Sequence, residues 1–211
     1  MPPRRPAGAC GGSPDPDCGW CKMPHDSALS TERLLLRQWR AGDRGPFAAM
    51  NADPEVMAHF PARLSREESD AMMDRLEAGI EADGFGFWAV EERDSGVLVG
   101  ATGLNRVSFA APFVPAVEVG WRFVRAAWGR GYATEAAGAA LSFGFDAAGL
   151  EEIVAMAVPR NERSLAVMDR LGMRRDPHGD FDHPRVPVGP LQRHVLYRID
   201  AAAWQRRSAR A

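Results

Sequence analysis

Gly129 and Gly131 stand where an apolar segment ending near Val124 runs into an alanine-rich stretch beginning at Ala133. Glycine takes positive φ without strain and lets a ligand approach the backbone closely. If the alanine-rich stretch is a helix, its first amides are free and its dipole turns a positive end toward the turn. Together these suit a pyrophosphate. Arg125 and Arg130 would add charge at the rim. Two other phosphate-binding patterns do not fit. A P-loop needs Gly-x-x-x-x-Gly-Lys-Ser/Thr, which this sequence lacks. The dinucleotide fingerprint needs a third glycine, and Thr134 holds that place. A Gly-x-Gly turn on its own is better read as a ligand-free link between strand and helix; its place between a strand and an alanine-rich helix, with a second motif downstream, reverses that reading.

A second group follows in Val158-Pro-Arg-Asn161-Glu-Arg-Ser164. An Asn just past a strand end and a Ser one turn into the next helix point polar groups back at the strand's C-terminal edge. Read structurally, Asn161 is an ordinary N-cap and Ser164 an ordinary first-turn residue. Along 117–123, Val117, Val119, Trp121 and Phe123 alternate with Glu118, Gly120 and Arg122, so the odd positions face a core. Glu118 then lies off that core face, and its structural reading is one half of a salt bridge with Arg122 or another arginine. Cys10, the Cys18-Gly-Trp-Cys21 pair and His25 have the donor types of a tetrahedral zinc site. Beyond the C-x-x-C half their spacing carries no signature, so a solvated tail without metal is the default.

The elements that must position these residues follow from the pattern of the chain. With 45% hydrophobic and 26% charged residues, the 211-residue sequence has a globular composition and room for one domain with an ordinary core. Twenty-six basic residues against 28 acidic ones, with the arginines scattered rather than banded, give no support for nucleic-acid binding. No apolar run suits a membrane helix, and Arg4 and Arg5 precede no apolar segment of a secretory signal, so a soluble, cytoplasmic protein is expected. Residues 1–28, rich in Pro and Gly, read as a disordered tail, residues 29–205 as the domain and 206–211 as a disordered end.

Within the domain a strand is expected at 33–39, a short helix from Asp43 to Met50, and a further start signal at Asp53-Pro54. Ser65-Arg-Glu-Glu68 is a capping box opening a helix that Gly84 ends. Strands at 86–91, 97–104 and 116–124 follow, the first two joined through Asp94-Ser-Gly96. Then come a helix at 133–147, a strand at 153–158, a helix at 162–171 closed by Gly172, a polar loop and a strand at 194–199. This is an α+β domain whose central mixed sheet has helices on both faces. The helix between the strands at 116–124 and 153–158 requires a right-handed crossover and a parallel pair.

Trp128-Gly-Arg-Gly131-Tyr-Ala-Thr-Glu135, with Asn161-x-x-Ser164 and Leu171-Gly-Met173, resembles the GCN5-related N-acetyltransferase (GNAT) superfamily, most closely its ribosomal-protein-alanine acetyltransferase-like branch. The similarity covers about residues 31–200, with Trp128 in place of the Gln or Arg that opens the family's acyl-CoA signature. It implies the GNAT fold, in which the parallel strands ending near Val124 and Val158 splay apart, and transfer of acetyl from acetyl-CoA to an amine by direct attack. By resemblance, the backbone of Phe123 and Val124 would pair with the pantetheine arm. The amides of Gly129, Arg130, Gly131, Tyr132, Ala133 and Thr134 would hold the pyrophosphate, and the Asn161 side chain would bind pantetheine. Glu118 falls where several relatives carry a general base. The usual tyrosine acid falls on Met168, which leaves Ser164 to steady the leaving thiolate. Asp182 and His183 lie in the loop that shapes the acceptor pocket of relatives. The acceptor would be a small-molecule amine or a peptide N-terminus, the protein a monomer or homodimer. A catalytically weak acyl-CoA-binding module acting as a sensor is the alternative.

Overall fold

In the computed structural model, which describes residues 28–209, alternation along the apolar segments builds one eight-stranded sheet. Its strands are β1 (Leu29–Ser30), β2 (Leu34–Arg37), β3 (Phe87–Glu92), β4 (Leu98–Arg106), β5 (Val117–Phe123), β6 (Glu152–Ala157), β7 (Arg174–Asp182) and β8 (Arg193–Asp200). They lie in the order β1-β2-β3-β4-β5-β6-β8-β7, and only β5 and β6 run parallel. The helices are α1 (Arg44–Ala52), α2 (Arg66–Asp83), α3 (Tyr132–Ser142), α4 (Glu162–Arg170) and α5 (Ala201–Ser208). The helical crossover between β5 and β6 explains their parallel sense, since such a pair cannot be joined by a tight turn.

Opposite faces of the sheet bury opposite sets of side chains. Trp88 and Val90 on β3, with Val119 and Phe123 on β5, pack against the alanine-rich face of α3 and against Leu171 and Trp204. Between them on β3, Ala89 turns the other way and packs with Phe47, Met50 and Met73 of α1 and α2. The capping box forms as the sequence indicates: Ser65 Oγ accepts from Glu68 N at 3.1 Å and Ser65 N donates to Glu68 Oε2 at 2.7 Å. Buried Arg37 ties β2 to the start of α1 and to β3, through a forked contact with Asp43 (2.7 and 2.9 Å) and a bond to Glu91 (2.7 Å).

The structure departs from the sequence reading in four places. Asp53-Pro54 opens a series of turns at 54–59 rather than a helix. Asp53 Oδ1 accepts from Glu55 N at 2.8 Å, and Pro61 disfavours helical backbone at Phe60. The polar loop expected before β8 contains the edge strand β7, and a short β1 precedes β2. The domain does not stop at 205: α5 runs to Ser208, capped by Asp200 Oδ1 (2.7 Å from Ala203 N) and anchored by buried Trp204. Cys10, Cys18, Cys21 and His25, and with them the tail up to residue 27, lie outside the described residues.

Candidate active site

The site begins where β5 and β6 part. They share a single register position, Glu118 with Val154, after which β6 pairs on its other side with β8 from Glu152 to Ala157. Peptide groups alternate in direction along a strand. Val124 N–H donates to Val99 O on the β4 side at 2.9 Å, so the peptide groups of Trp121 and Phe123 point away from β4, into the fork. This corrects the expected partner at Val124. Its N–H is used by β4 and its carbonyl accepts from Ala127 N at 2.9 Å. Phe123 keeps its N–H for the fork while its carbonyl accepts from Trp128 Nε1 at 2.9 Å.

The fork opens onto the Gly-x-Gly turn. Gly129 and Gly131 have φ of +73° and +82°, a region side chains disfavour. Among the described residues nothing accepts from the N–H groups of Gly129, Arg130, Gly131, Tyr132, Ala133 or Thr134. The first bonded amide of α3 is Glu135 N, on Gly131 O at 3.0 Å. Thr134 Oγ1 is buried there without a partner. Six free donors and an orphaned hydroxyl at a helix start form a seat for an anion with several oxygens. Behind it, Glu135 accepts from Thr31 Oγ1 (2.6 Å), Arg33 N (2.9 Å) and Arg33 Nε (2.8 Å), and Arg33 Nη1 donates to Arg130 O at 3.0 Å. These bonds fix the turn from its protein side and leave the amide side open.

The rim charges foreseen at Arg125 and Arg130 are already engaged. Arg125 pairs with Glu55, and Arg130 pairs with Glu92 at 2.7 Å while lying 4.5 Å over the ring of Tyr132. Tyr132 is 2% exposed and donates its hydroxyl to Glu92, so only its amide faces the cradle. Asn161 caps α4, its Oδ1 accepting from Ser164 N at 3.2 Å. Its Nδ2 has no acceptor among the described residues and is the atom free to reach a ligand. Ser164 is half-buried in the cleft wall, whereas Met168 is sealed in the core at 1% exposed.

A cleft of about 1230 Å³ unites these parts, walled by Trp121, Arg122 and Phe123 of β5, the 129–135 turn, and Asn161, Arg163, Ser164 and Arg170. Its other wall is the 54–60 turn segment, which contributes Glu55, Val56, Ala58, His59 and Phe60. Glu118 is not in that wall. It sits at the zipped end of the fork, half-buried, and meets Asn105 Nδ2 at 3.3 Å rather than any arginine. Burial pushes its carboxyl above the ordinary range, partly offset by the Asn105 bond. Asp182 and His183 are not brought to the cleft either. Asp182 meets Arg193 at 3.4 Å, and His183 packs among Phe109, Phe181 and His194 on the β7–β8 side. No group of three or more His, Cys, Asp or Glu side chains fit to hold a metal exists among the described residues.

Sequence reasoning missed the wall built by the 54–60 segment and its neighbours. His59 has a buried Nδ1 without a partner, and burial together with Arg160 and Arg163 holds its imidazole below the usual range. Arg163 stacks 4.4 Å over the Trp128 ring. Arg122 lies 4.1 Å over the Phe60 ring and donates to Asn51 Oδ1 at 2.5 Å. Nothing local in sequence marks these contacts; the Arg122–Asn51 bond alone joins residues 71 positions apart.

The profile described as an acetyltransferase (GNAT) domain matches residues 33–174. The uncharacterized N-acetyltransferase YnaD of Bacillus subtilis is 32% identical over 149 residues, 70% of this chain and 83% of that protein. An acetyltransferase (GNAT family) from Bacillus anthracis superposes with a TM-score of 0.70 at 25% identity, covering 83% of this chain and 99% of that one. Mycobacterium smegmatis RimJ, solved in complex with CoA-disulfide, shares the fold with a TM-score of 0.66 at 22% identity, over 84% of this chain and 88% of its own. No helix among the described residues is long and apolar enough to cross a membrane.

Proposed function

The chain belongs to the GNAT acetyltransferase family, and we propose from that premise that it moves the acetyl group of acetyl-CoA to a primary amine by direct attack. The run of unpaired amides from Gly129 to Thr134, beside a strand pair that separates after Glu118, carries this reading. RimJ, which shares this fold, was solved with a CoA derivative, and that supports the choice of co-substrate. When bound, acetyl-CoA supplies a thioester carbonyl open to attack by an amine.

The chain's own residues have distinct tasks in this scheme. Amides 129–134 and the Thr134 hydroxyl bind the diphosphate. The fork-facing peptide groups of Trp121 and Phe123, with Asn161 Nδ2, orient the pantetheine arm. An ammonium ion cannot attack, so a base must take a proton first. Glu118 is assigned that task through solvent, because its carboxyl is raised by burial and stands back from the cleft wall. The Ser164 hydroxyl, in the first turn of α4 where the helix dipole favours negative charge, steadies the departing sulfur. The acceptor is a peptide N-terminus or a small amine, and the protein works in the cytoplasm as a monomer or homodimer.

Burial of Met168, where the resemblance puts a tyrosine acid, favours a second reading as an acyl-CoA-binding module without turnover. Release of free CoA from acetyl-CoA over a panel of amines separates the two. Amine-dependent release, with no acetylated protein detected by mass in the absence of amine, supports direct transfer. Tight acetyl-CoA binding without release on any amine supports the binding module.

A further inference from the structure

Arg122 projects from the face of β5 opposite the α3 side, toward α1, α2 and the 54–60 segment, and lines the cleft beside His59 and Phe60. Its contacts are Asn51 Oδ1 at 2.5 Å, Met72 Sδ at 3.9 Å and the face of Phe60 at 4.1 Å. None carries a negative charge. Arg37, the other well-enclosed arginine, holds Asp43 in a fork and Glu91 on its third nitrogen. Both bonds of Arg122 use Nη1, so the Nε and Nη2 edge has no acceptor among the described residues. Burial draws its pKa down to about 10, and no nearby carboxylate offsets that fall. Enclosing a cation without its anion is unfavourable unless a ligand completes the pair.

The surroundings point the same way. Three carboxylates lie in the cleft wall: Glu55 is taken by Arg125, Glu135 by Arg33, and Glu162, on α4, has no ion pair among the described residues and is not among the contacts of Arg122. Burial is the main cause of the lowered His59 imidazole, and Arg160 and Arg163 add to it, contributing a positive field at that end of the cleft. Such a field repels polycations, draws in anions and favours the neutral form of an amine held there.

We propose that Arg122 is the receptor for a carboxylate carried by the acceptor, so that the preferred amines are amino acids or peptides with an acidic group near the reacting nitrogen. The planar guanidinium edge matches a carboxylate with two parallel bonds. The proposal rests on the acetyltransferase reading above, and it names the substrate class of that same site.

The test compares acceptors as acids and as the matching carboxamides, with wild-type protein, R122Q and R122K. Free amino acids form one arm and peptides with Asp or Glu as second residue the other, which distinguishes a terminal carboxylate from a side-chain one. Wild type should show a KM about 10- to 100-fold lower for acids than for amides. R122Q should abolish that preference and R122K retain only part of it, with acetyl-CoA affinity unchanged in both. Calorimetric titration of the acid and amide forms into the protein, with and without CoA, reads the same contrast without turnover. Equal use of acids and amides, a preference for polycationic amines, or an acid preference that survives in R122Q overturns the proposal. If no amine releases CoA, the transferase reading fails by itself. The titration still decides Arg122: acid binding lost in R122Q supports its role, and equal binding of acid and amide refutes it. Should R122Q fail to melt cooperatively, R122K decides, since it keeps the charge and loses the fork.

Discussion

Replacing Gly131 with Ala separates two roles that one residue combines. Its φ of +82° costs an L-residue about 1–2 kcal/mol. An added Cβ meets only Arg33 Nη2, at an ordinary 3.5 Å, so strain rather than collision dominates. Gly149 is the control, with φ of +64°, open space around a Cβ and no place in the cleft wall. In G149A the strain should register in stability, about 2–8 °C off the melting temperature.

G131A has another outlet. No protein acceptor holds amides 129–134, so the free turn relaxes by rotating the peptide between Arg130 and Gly131. The rotation breaks the Arg33 Nη1 bond to Arg130 O, which is solvent-exposed and worth roughly 0.2–1 kcal/mol. Binding a diphosphate must then restore the strained turn, so the remaining strain reappears as lost affinity, about 2- to 20-fold. Thermal melting and calorimetric titration of acetyl-CoA read the two quantities separately. The expected pattern is a smaller melting shift in G131A than in G149A, with weakened acetyl-CoA binding in G131A alone. Equal melting losses with wild-type affinity in both variants would refute the seat.

Three further outcomes follow from single contacts. Thr134→Val removes a buried hydroxyl that has no partner, so the free protein should melt no lower than wild type, while acetyl-CoA affinity falls about tenfold or more. Glu118→Gln should abolish the acidic limb of the pH–rate profile, which in wild type lies above the ordinary carboxylate range because burial raises that carboxyl. The same raised pKa means that Glu118 stabilises the fold fully below its unfolded pKa and loses that contribution as pH rises through the folded value. Melting of E118Q above that window should therefore equal or exceed wild type, and a lower value there contradicts it. Asp43→Asn leaves the buried Arg37 guanidinium without its forked anion, a loss of about 3–5 kcal/mol and roughly 6–20 °C, with acetyl-CoA affinity retained.

How far the site is legible in sequence depends on which atoms build it. The proposed diphosphate seat is made of backbone amides, and backbone geometry is set locally by Gly129, Gly131 and the helix that begins at Tyr132, so the motif announces it. The parallel pair follows from the crossover, and its fork follows from the resemblance. Which peptide groups face the fork does not follow, because that depends on the register of β5 on β4, where Gly100 pairs with Phe123. β7 was hidden because it is an edge strand: Arg174–Asp182 is polar but for Phe181 and contains Pro177 and Gly179, which edges tolerate. The 54–60 wall was hidden because Asp53-Pro54 reads as a helix start, and only the observed turns direct His59 and Phe60 to the cleft.

In the proposed scheme β5 serves both substrates, because a strand's peptide groups lie in the plane of the sheet and its side chains stand normal to it. In the plane, Trp121 and Phe123 face the fork; along the normal, Glu118 and Arg122 face the side covered by α1 and α2. Gly120 lies between them, and a Cβ there would come within 2.6 Å of Phe87 Cζ, so the Phe87 ring occupies the space a side chain would take. That contact keys the register of β5, since a slip of one residue would bring Val119 or Trp121 against Phe87 and turn Arg122 to the α3 side. The carboxyl proposed to take the proton and the guanidinium proposed to hold the acceptor's acid are thus set by one glycine on one strand. Gly120→Ala should accordingly impair acceptor binding and turnover more than acetyl-CoA affinity, because the amides of 129–134 belong to α3 and its preceding turn. A G120A protein with weakened acetyl-CoA binding and an intact acceptor KM would show that the two halves of the site are not divided along this strand.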